Sequence, residues 1–211
     1  MTIALLPTVA REPTTRSAFR RLAAVLITLT LIVTYQPLAV ADQEKSKNQV
    51  RFLIATEQLD GTSFQQTVIL ITHNSERGAT GLTINRPTDI PLKQIFPLIP
   101  QLNQRTDPLY LGGPVSTNAI FVLLRTEHPQ NYMHLIADDI YFSTAQNAFR
   151  YPFDNRSRIY AGYTGWDAGQ LQYEIDRGDW LLIQTQPEII FDENPSDLWQ
   201  SLIKSWSGQW L

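Results

Sequence analysis

The densest polar cluster after the first 41 residues is His73-Asn74-Ser75-Glu76-Arg77-Gly78, which separates two apolar runs. An imidazole, a carboxylate and a guanidinium this close in sequence could support acid–base chemistry or bind a polar ligand. A solvated hairpin loop has the same composition, and we favour that interpretation. His73 stands at the end of the first apolar run, so the strand predicted there would position its side chain.

A second distinctive segment is Tyr163–Glu174, with the sequence YTGWDAGQLQYE. Asp167 followed by Gln170 predicts the start of a helix, because side chains at this spacing satisfy the free N–H groups of a first turn. Gln170 and Glu174 would then lie one turn apart on the same helix face. Trp166 could form the wall of a stacking groove, although packing in the core is the favoured interpretation.

Two shorter segments complete the candidate set. Gly112-Gly113-Pro114 could direct backbone N–H groups toward an anion, but a tight connection between strands is favoured. Asn85 and Arg86 stand at the end of the apolar run GLTIN. The candidate polar or ligand-binding residues are His73, Asn74, Glu76, Asn85, Arg86, Gly112, Gly113, Trp166, Gln170 and Glu174.

No complete catalytic or metal-binding motif is present in the 211 residues. The three histidines, His73, His128 and His134, do not have the spacing of metal ligands. The sequence has no G-x-S-x-G motif, and it has no cysteine to act as a nucleophile, a zinc ligand or half of a disulfide. Catalytic residues therefore stay unassigned, and we expect neither a metal nor a cofactor.

The charge distribution disfavours nucleic acid as a partner. Residues 1–41 hold four of the 17 basic residues and one of the 20 acidic residues. The rest of the chain therefore carries 13 basic and 19 acidic residues, a formal charge near −6. A domain this acidic repels a phosphate backbone unless its basic residues cluster, and no Lys/Arg run follows residue 41.

Residues 1–41 contain the three parts of a secretory signal. Arg20-Arg21 precedes the uncharged run Leu22–Val33, and Ala39-Val40-Ala41 supplies the small residues that a signal peptidase accepts. Residues 22–41 are also about as long as a membrane-spanning helix, so an uncleaved anchor is the alternative. We therefore expect export to the periplasm or its equivalent, or membrane association through residues 22–41.

The remaining chain predicts a polar linker at residues 42–49 and one domain at residues 50–211. Apolar and β-branched runs predict strands at Phe52–Ala55, Thr67–Thr72, Gly81–Asn85, Leu109–Leu111, Ala119–Arg125, Met133–Ile136, Ile140–Phe142, Ser157–Tyr163 and Trp180–Thr185. Helical signals are one turn at Leu92–Phe96, caps at Ser143 and Asp167, a Gly178 stop, and an amphipathic helix from Asn194-Pro195. This order predicts a single α+β domain with an antiparallel or mixed sheet and a few peripheral helices.

Four blocks, in order and at matching spacing, resemble the AlgH/YqgE family. They are Phe52–Pro87, Leu109–Ser116 (LYLGGPVS), Ile159–Ile175 (IYAGYTGWDAGQLQYEI) and Trp180–Ile183 (WLLI). The resemblance covers the chain from about residue 50 to its C-terminus and implies a compact α+β fold around a bent sheet. It implies no enzyme, because the family has no established catalytic residues to carry over. The family is usually cytosolic and carries a transcriptional-regulator label, and this chain departs from it in its first 41 residues and at Gln172.

Three functions follow as hypotheses. The leading one is a non-catalytic binding or accessory module, exported or tethered to the membrane, whose partner is another protein or a small polar ligand. The second is an enzyme that uses His73, Glu76 and Glu174 on a small polar substrate. The third, a transcriptional regulator, is disfavoured by the acidic charge of the domain.

Cell fractionation followed by N-terminal sequencing tests the targeting prediction. We expect the mature protein outside the cytoplasm with Asp42 as its first residue, because Ala39-Val40-Ala41 is the predicted cleavage site. A membrane-bound protein that keeps Arg20-Arg21 would support the anchor instead. Full-length protein that fractionates with a cytoplasmic marker enzyme would contradict both versions.

Overall fold

Ten strands form one curled sheet in the computed structural model, which describes residues 49–150, 156–192 and 194–207. Residues 1–48, with the predicted signal and most of the linker, lie outside the described residues. The strands are β1 (Val50–Ala55), β2 (Val68–Ser75), β3 (Gly78–Thr83), β4 (Pro87–Pro91), β5 (Pro108–Leu111), β6 (Val115–Arg125), β7 (His134–Ala137), β8 (Ile140–Thr144), β9 (Ser157–Asp167) and β10 (Trp180–Thr185). The helices are α1 (Leu92–Ile95), α2 (Ala145–Ala148), α3 (Gln170–Arg177), α4 (Ile189–Asp192) and α5 (Pro195–Ser207), with a 3-10 turn at Glu57–Leu59.

The main path through the sheet runs β10-β1-β2-β3-β9-β6-β8-β7. Every neighbouring pair on this path is antiparallel. β5 pairs with β4 and runs parallel to β9, which makes the sheet mixed. The α+β class with a largely antiparallel, curled sheet is therefore confirmed. No helix in the described ranges is both long enough and apolar enough to span a membrane.

The first half of β2, Val68–Ile71, is buried on both faces, as its continuous apolar run predicts. Leu70 faces a core cluster that contains Phe52 of β1, while Ile69 faces a second cluster under α3. Helix α5 covers the first cluster with Leu198 and Leu202, and the Trp199 indole N–H donates to the Ala55 carbonyl at 2.8 Å. The predicted amphipathic face and the predicted Asn194 cap of α5 are confirmed, since the Asn194 Oδ1 accepts from the Ser196 N–H at 3.2 Å.

The hairpin loop predicted over His73–Gly78 is shorter than expected. β2 continues to Ser75, β3 begins at Gly78, and Glu76-Arg77 form the turn. The Thr72 and Thr80 hydroxyls lie 3.1 Å apart, and the register shifts between Ile71 and His73. His73 and Asn74 therefore lie on a hydrogen-bonded strand with a fixed backbone.

Two predicted helix caps are wrong. Ser143 belongs to β8, where it pairs with Val122, and helix α2 begins after Thr144 without a side-chain cap. Asp167 belongs to β9, and α3 begins after Gly169, which has a left-handed φ of 77°. Of the hydrogen bonds predicted between Asp167 and Gln170, the one that forms is to the Gln170 side chain. Its Oε1 accepts from the Asp167 N–H at 3.0 Å. The predicted Gly178 stop is confirmed.

Strand β9 bends at Gly162 and changes neighbours there. Ser157–Ala161 pairs with β6, and this pairing resumes after a register shift at Tyr163, opposite Val115. On the other edge of β9, Tyr160 and Ala161 pair with β5, and Thr164–Asp167 pairs with β3. Gly112–Gly113 crosses β9 at the bend, and a Cβ on Gly162 would lie 2.5 Å from the Gly113 carbonyl oxygen. A Cβ on Gly112 would meet the Gly162 carbonyl oxygen in the same way. The crossing therefore requires glycine on both segments.

Replacing Gly162 with alanine tests this crossing against a matched control. Gly162 and Gly169 have similar left-handed φ values, 71° and 77°, but nothing lies within 4 Å of a Cβ at Gly169. Gly169→Ala should cost about 1–2 kcal/mol for the left-handed backbone alone. Gly162→Ala should cost about 1–3 kcal/mol more, because its methyl group meets backbone that cannot move aside. Equal urea-unfolding free energies for the two variants would contradict the role of the crossing.

Candidate functional site

His73 and Asn74 line an open cavity of about 500 Å³ at one end of the sheet, here called the histidine cavity. Strand β7 forms the opposite wall, and the His134 ring centroid lies 6.5 Å from that of His73. The lining residues are Gln49, Val50, Arg51, Ile71, Thr72, His73, Asn74, His134, Leu135, Ile136 and Gln184. The end strands of the sheet path, β7 and β10, therefore both contribute to the same cavity.

The described lining of the histidine cavity is polar but almost uncharged. Two imidazoles, the amides of Gln49, Asn74 and Gln184, and the Thr72 hydroxyl provide donors and acceptors. Arg51 adds one cation, and no carboxylate is among the described lining residues. Such a lining can hydrogen-bond a polar ligand from several sides.

Glu76 lies apart from the histidine cavity although it is close in sequence. Its side chain is exposed in the β2–β3 turn and lines a neighbouring cavity of about 330 Å³. Arg51 and Asn74 line both cavities. Glu76 therefore does not line the same cavity as His73.

Glu174 occupies a third place, beneath α3. Its Oε2 accepts hydrogen bonds from the indole N–H groups of Trp166 and Trp180, both at 2.8 Å, and its Oε1 accepts from the Gln170 amide at 2.9 Å. The two indoles are buried and meet edge to face, with centroids 6.1 Å apart. The carboxylate thus connects α3 to β9 and β10, and Trp166 is a core residue as predicted.

Asn85 and Arg86 line a separate cavity of about 500 Å³ next to α5, and their side chains also bind backbone. The buried Asn85 amide accepts from the Val68 N–H and donates to the Gln66 carbonyl, both at 2.9 Å. The Arg86 guanidinium donates to the Gln65 carbonyl. Gln66 has a left-handed φ of 53°, so these bonds hold a strained connection at the start of β2.

The backbone N–H and C=O groups of Gly112 form hydrogen bonds within the sheet. Its N–H donates to the Ala161 carbonyl at 2.8 Å, and its carbonyl accepts from the Thr83 N–H at 2.8 Å. The N–H of Gly112 is therefore not directed at an anion, and the favoured interpretation of Gly112–Gly113 as a tight connection agrees with the structure. Of the ten candidates, His73 and Asn74 are the two that line the histidine cavity.

The sequence did not predict that β7 forms the opposite wall of the histidine cavity. His134 lies in the strand predicted at Met133–Ile136, and it begins β7, where it pairs with Phe142. Its approach to His73 depends on the curl of the whole sheet, which no local pattern encodes. The expected absence of a metal and a cofactor stays a prediction.

The sheet and its peripheral helices define the class of protein: a single α+β domain on a curled, largely antiparallel sheet. The model of the AlgH-like family (DUF179) matches residues 52–211, and the chain belongs to this family. A UPF0301 protein of Magnetococcus marinus is 34% identical over 161 residues, which cover 74% of this chain and 87% of that relative. The resemblance drawn from the four sequence blocks is confirmed.

Solved structures agree with the fold. The solution structure of the AlgH protein from Pseudomonas aeruginosa is 31% identical and superposes with a TM-score of 0.60, covering 74% of this chain and 86% of that one. A crystal structure of a Corynebacterium diphtheriae protein, 23% identical, also has a TM-score of 0.60 and covers 74% of this chain and 85% of its own. The second likeness concerns the fold alone.

Replacing Glu174 with glutamine tests the structural role of this carboxylate. Both indole N–H groups donate to the single Oε2, so an amide oxygen in that place is an uncharged acceptor and the amide N–H₂ then faces the N–H₂ of Gln170. The free energy of unfolding should therefore fall by about 1–3 kcal/mol. Asp176→Asn is the matched control, because the exposed Asp176 on the same helix accepts from Gln172 at 2.7 Å. The control should change stability by less than about 0.5 kcal/mol. A Glu174→Gln variant as stable as the control would contradict the structural assignment.

Proposed function

We propose that the protein is a non-catalytic binding module that holds a polar ligand or a polar segment of another protein in the histidine cavity. The observation that carries this proposal is the separation of the candidate acid–base groups. His73 lines the cavity, while Glu174 is bound by two indoles and an amide beneath α3. A general base needs a partner within hydrogen-bond reach, directly or through one water.

The composition of the cavity supports binding. Imidazole, amide and hydroxyl groups offer hydrogen bonds to neutral or weakly charged ligands without the cost of burying a carboxylate. A volume of about 500 Å³ is within the usual range of ligand sites, about 300–1,000 Å³. Leu135, with 58% of its surface exposed, adds an apolar contact at the rim.

The sheet edge beside the cavity favours a protein segment as one form of the ligand. β7 is an end of the main sheet path, and an extended peptide can add to such an edge through main-chain hydrogen bonds. Side chains of that peptide that point inward would meet His134 and His73. A small polar molecule would bind to His134 and His73 without pairing with the edge of β7.

The location of the module is part of the proposal and rests on residues 1–41. Their charged start, apolar run and small-residue site favour export, with membrane anchoring as the alternative. A binding role fits either location, because it needs no cytoplasmic substrate. The transcriptional-regulator label has no specific support in the site geometry.

A photo-crosslinking amino acid placed at position 135 tests the proposal in intact cells. Leu135 lines the histidine cavity, whereas the equally exposed Tyr173 on α3 does not, so position 173 is the matched control. We expect an adduct from position 135 and little from position 173. A protein partner would give a band shift on a gel, and a small ligand would give a mass increase of the intact protein.

A second variant tests whether His73 contributes to binding of the crosslinked ligand. Replacing His73 with alanine in the position-135 protein should lower the adduct yield several-fold, because it removes a hydrogen-bonding group from the facing wall. Equal adducts from positions 135 and 173, or a yield unchanged by His73→Ala, would contradict the proposed site. Turnover abolished by Glu174→Gln in a folded protein would favour the enzyme hypothesis instead.

A further inference from the structure

A smaller cavity, of about 270 Å³, is lined in part by three threonines. The lining residues are Ser63, Phe64, Thr67, Thr83, Arg86, Leu111, Gly113, Pro114 and Thr117, and we call this space the threonine cavity. It shares no lining residue with the histidine cavity. A ligand of the threonine cavity would therefore be independent of the ligand proposed for the histidine cavity.

Arg86 is the one charged side chain in the described lining of the threonine cavity. Its guanidinium donates to the Gln65 carbonyl, which leaves other N–H groups for a ligand. Among the residues that the structure describes, no carboxylate forms an ion pair with it. Arg86 also lines the cavity next to α5, whose described lining holds no carboxylate either. This half-buried positive charge therefore favours an anion at the cavity wall.

Thr83 contributes a hydroxyl that the protein itself does not use. Thr83 lines the cavity with 4% of its surface exposed, and in the described parts of the chain its hydroxyl makes no hydrogen bond. Its backbone is fixed, because its N–H donates to the Gly112 carbonyl at 2.8 Å. The hydroxyl of Thr67, by contrast, donates to the Phe64 carbonyl at 2.7 Å. Since a buried hydroxyl without a partner costs free energy, a ligand oxygen in the cavity would give Thr83 the acceptor that it lacks.

The rest of the cavity wall offers apolar surface. Phe64 packs edge to face against Trp180, with ring centroids 5.6 Å apart, so its ring is held in place. Leu111 and Pro114 add aliphatic surface, and 52% of the surface of Leu111 is exposed. A ligand that covers these side chains would remove apolar surface from water. The volume of about 270 Å³ lies just below the usual range of ligand sites, about 300–1,000 Å³, so it suits a compact molecule.

We propose that the threonine cavity binds a small monocarboxylic acid with a compact apolar body, as the carboxylate anion. One guanidinium matches the two oxygens and the single charge of a carboxylate, whereas a phosphate dianion carries more charge than one arginine neutralises. In this arrangement Arg86 pairs with the carboxylate and the Thr83 hydroxyl donates to one of its oxygens. Phe64 and Leu111 pack against the apolar body.

An NMR titration of the protein with benzoate and with 4-methylpentanoate, followed at the backbone amides, tests this inference. The two probes carry the same charge on an aromatic and on a branched aliphatic body. We expect saturable shifts of amides that line the threonine cavity, such as those of Leu111 and Gly113. Benzamide has nearly the shape of benzoate without its charge, and it should bind at least about tenfold more weakly. Acetate lacks the apolar body and should also bind at least about tenfold more weakly.

Two threonine substitutions on β3 give a matched pair of variants. Thr83→Val removes the unused hydroxyl, so it should weaken benzoate binding about tenfold without lowering the free energy of unfolding. Thr80 lies three residues away and therefore on the opposite face of the strand, where its hydroxyl already lies 3.1 Å from that of Thr72. Thr80→Val should lower the free energy of unfolding and change benzoate affinity less than about twofold. Arg86→Lys keeps the charge but loses the two-pronged geometry, so it should weaken benzoate binding at least about tenfold.

Several results would overturn the inference. They are the absence of saturable shifts with both carboxylate probes, shifts confined to the lining of the histidine cavity, and equal weakening by Thr83→Val and Thr80→Val. Benzamide or acetate that binds as tightly as benzoate would also overturn it. His73 does not line the threonine cavity, so a negative result here leaves the proposed function of the histidine cavity standing.

Discussion

The crossing of Gly112–Gly113 over Gly162 is the contact on which the rest of the sheet depends. It lets β9 exchange β5 for β3 as a neighbour on one edge while the other edge stays paired with β6, so that one strand joins both parts of the sheet. A methyl group on either glycine segment would meet the other backbone.

Much of the fold could be predicted because the strand interiors are apolar and β-branched. The runs around Leu53, Leu70 and Leu123 each became strands, and the Asn194-Pro195 start of α5 formed as its residues indicate. The polar ends of strands could not be predicted from composition, since His73–Ser75 is extended only by its pairing with β3. The same competition explains the failed cap at Ser143, where pairing with β6 outweighs a local capping signal.

Little of the candidate site could be predicted. His73 and Asn74 were recognisable as candidates from their residue types. The hydrogen bonds from Trp166 and Trp180 to the Glu174 carboxylate could not be predicted, because the spacing of these residues in the sequence does not indicate them. The cavity lined by Arg105, Arg125, Arg156 and Arg158 has no local sequence signal, because these residues come from segments spread between residues 105 and 158. Clusters of this kind are created by strand register, so they become visible only when the sheet is assembled.

The pairing of β1 with β10 has a consequence for how the chain reaches its native state. Phe52 lies opposite Ile183, so the first strand of the domain completes its pairing only after the last strand is available. Contacts between such distant residues slow folding, because a long loop must close before they form. A nascent chain that lacks β10 leaves one side of β1 without its native neighbour. The domain therefore completes its native pairing late in synthesis, and until then the apolar residues of β1 are accessible to a chaperone.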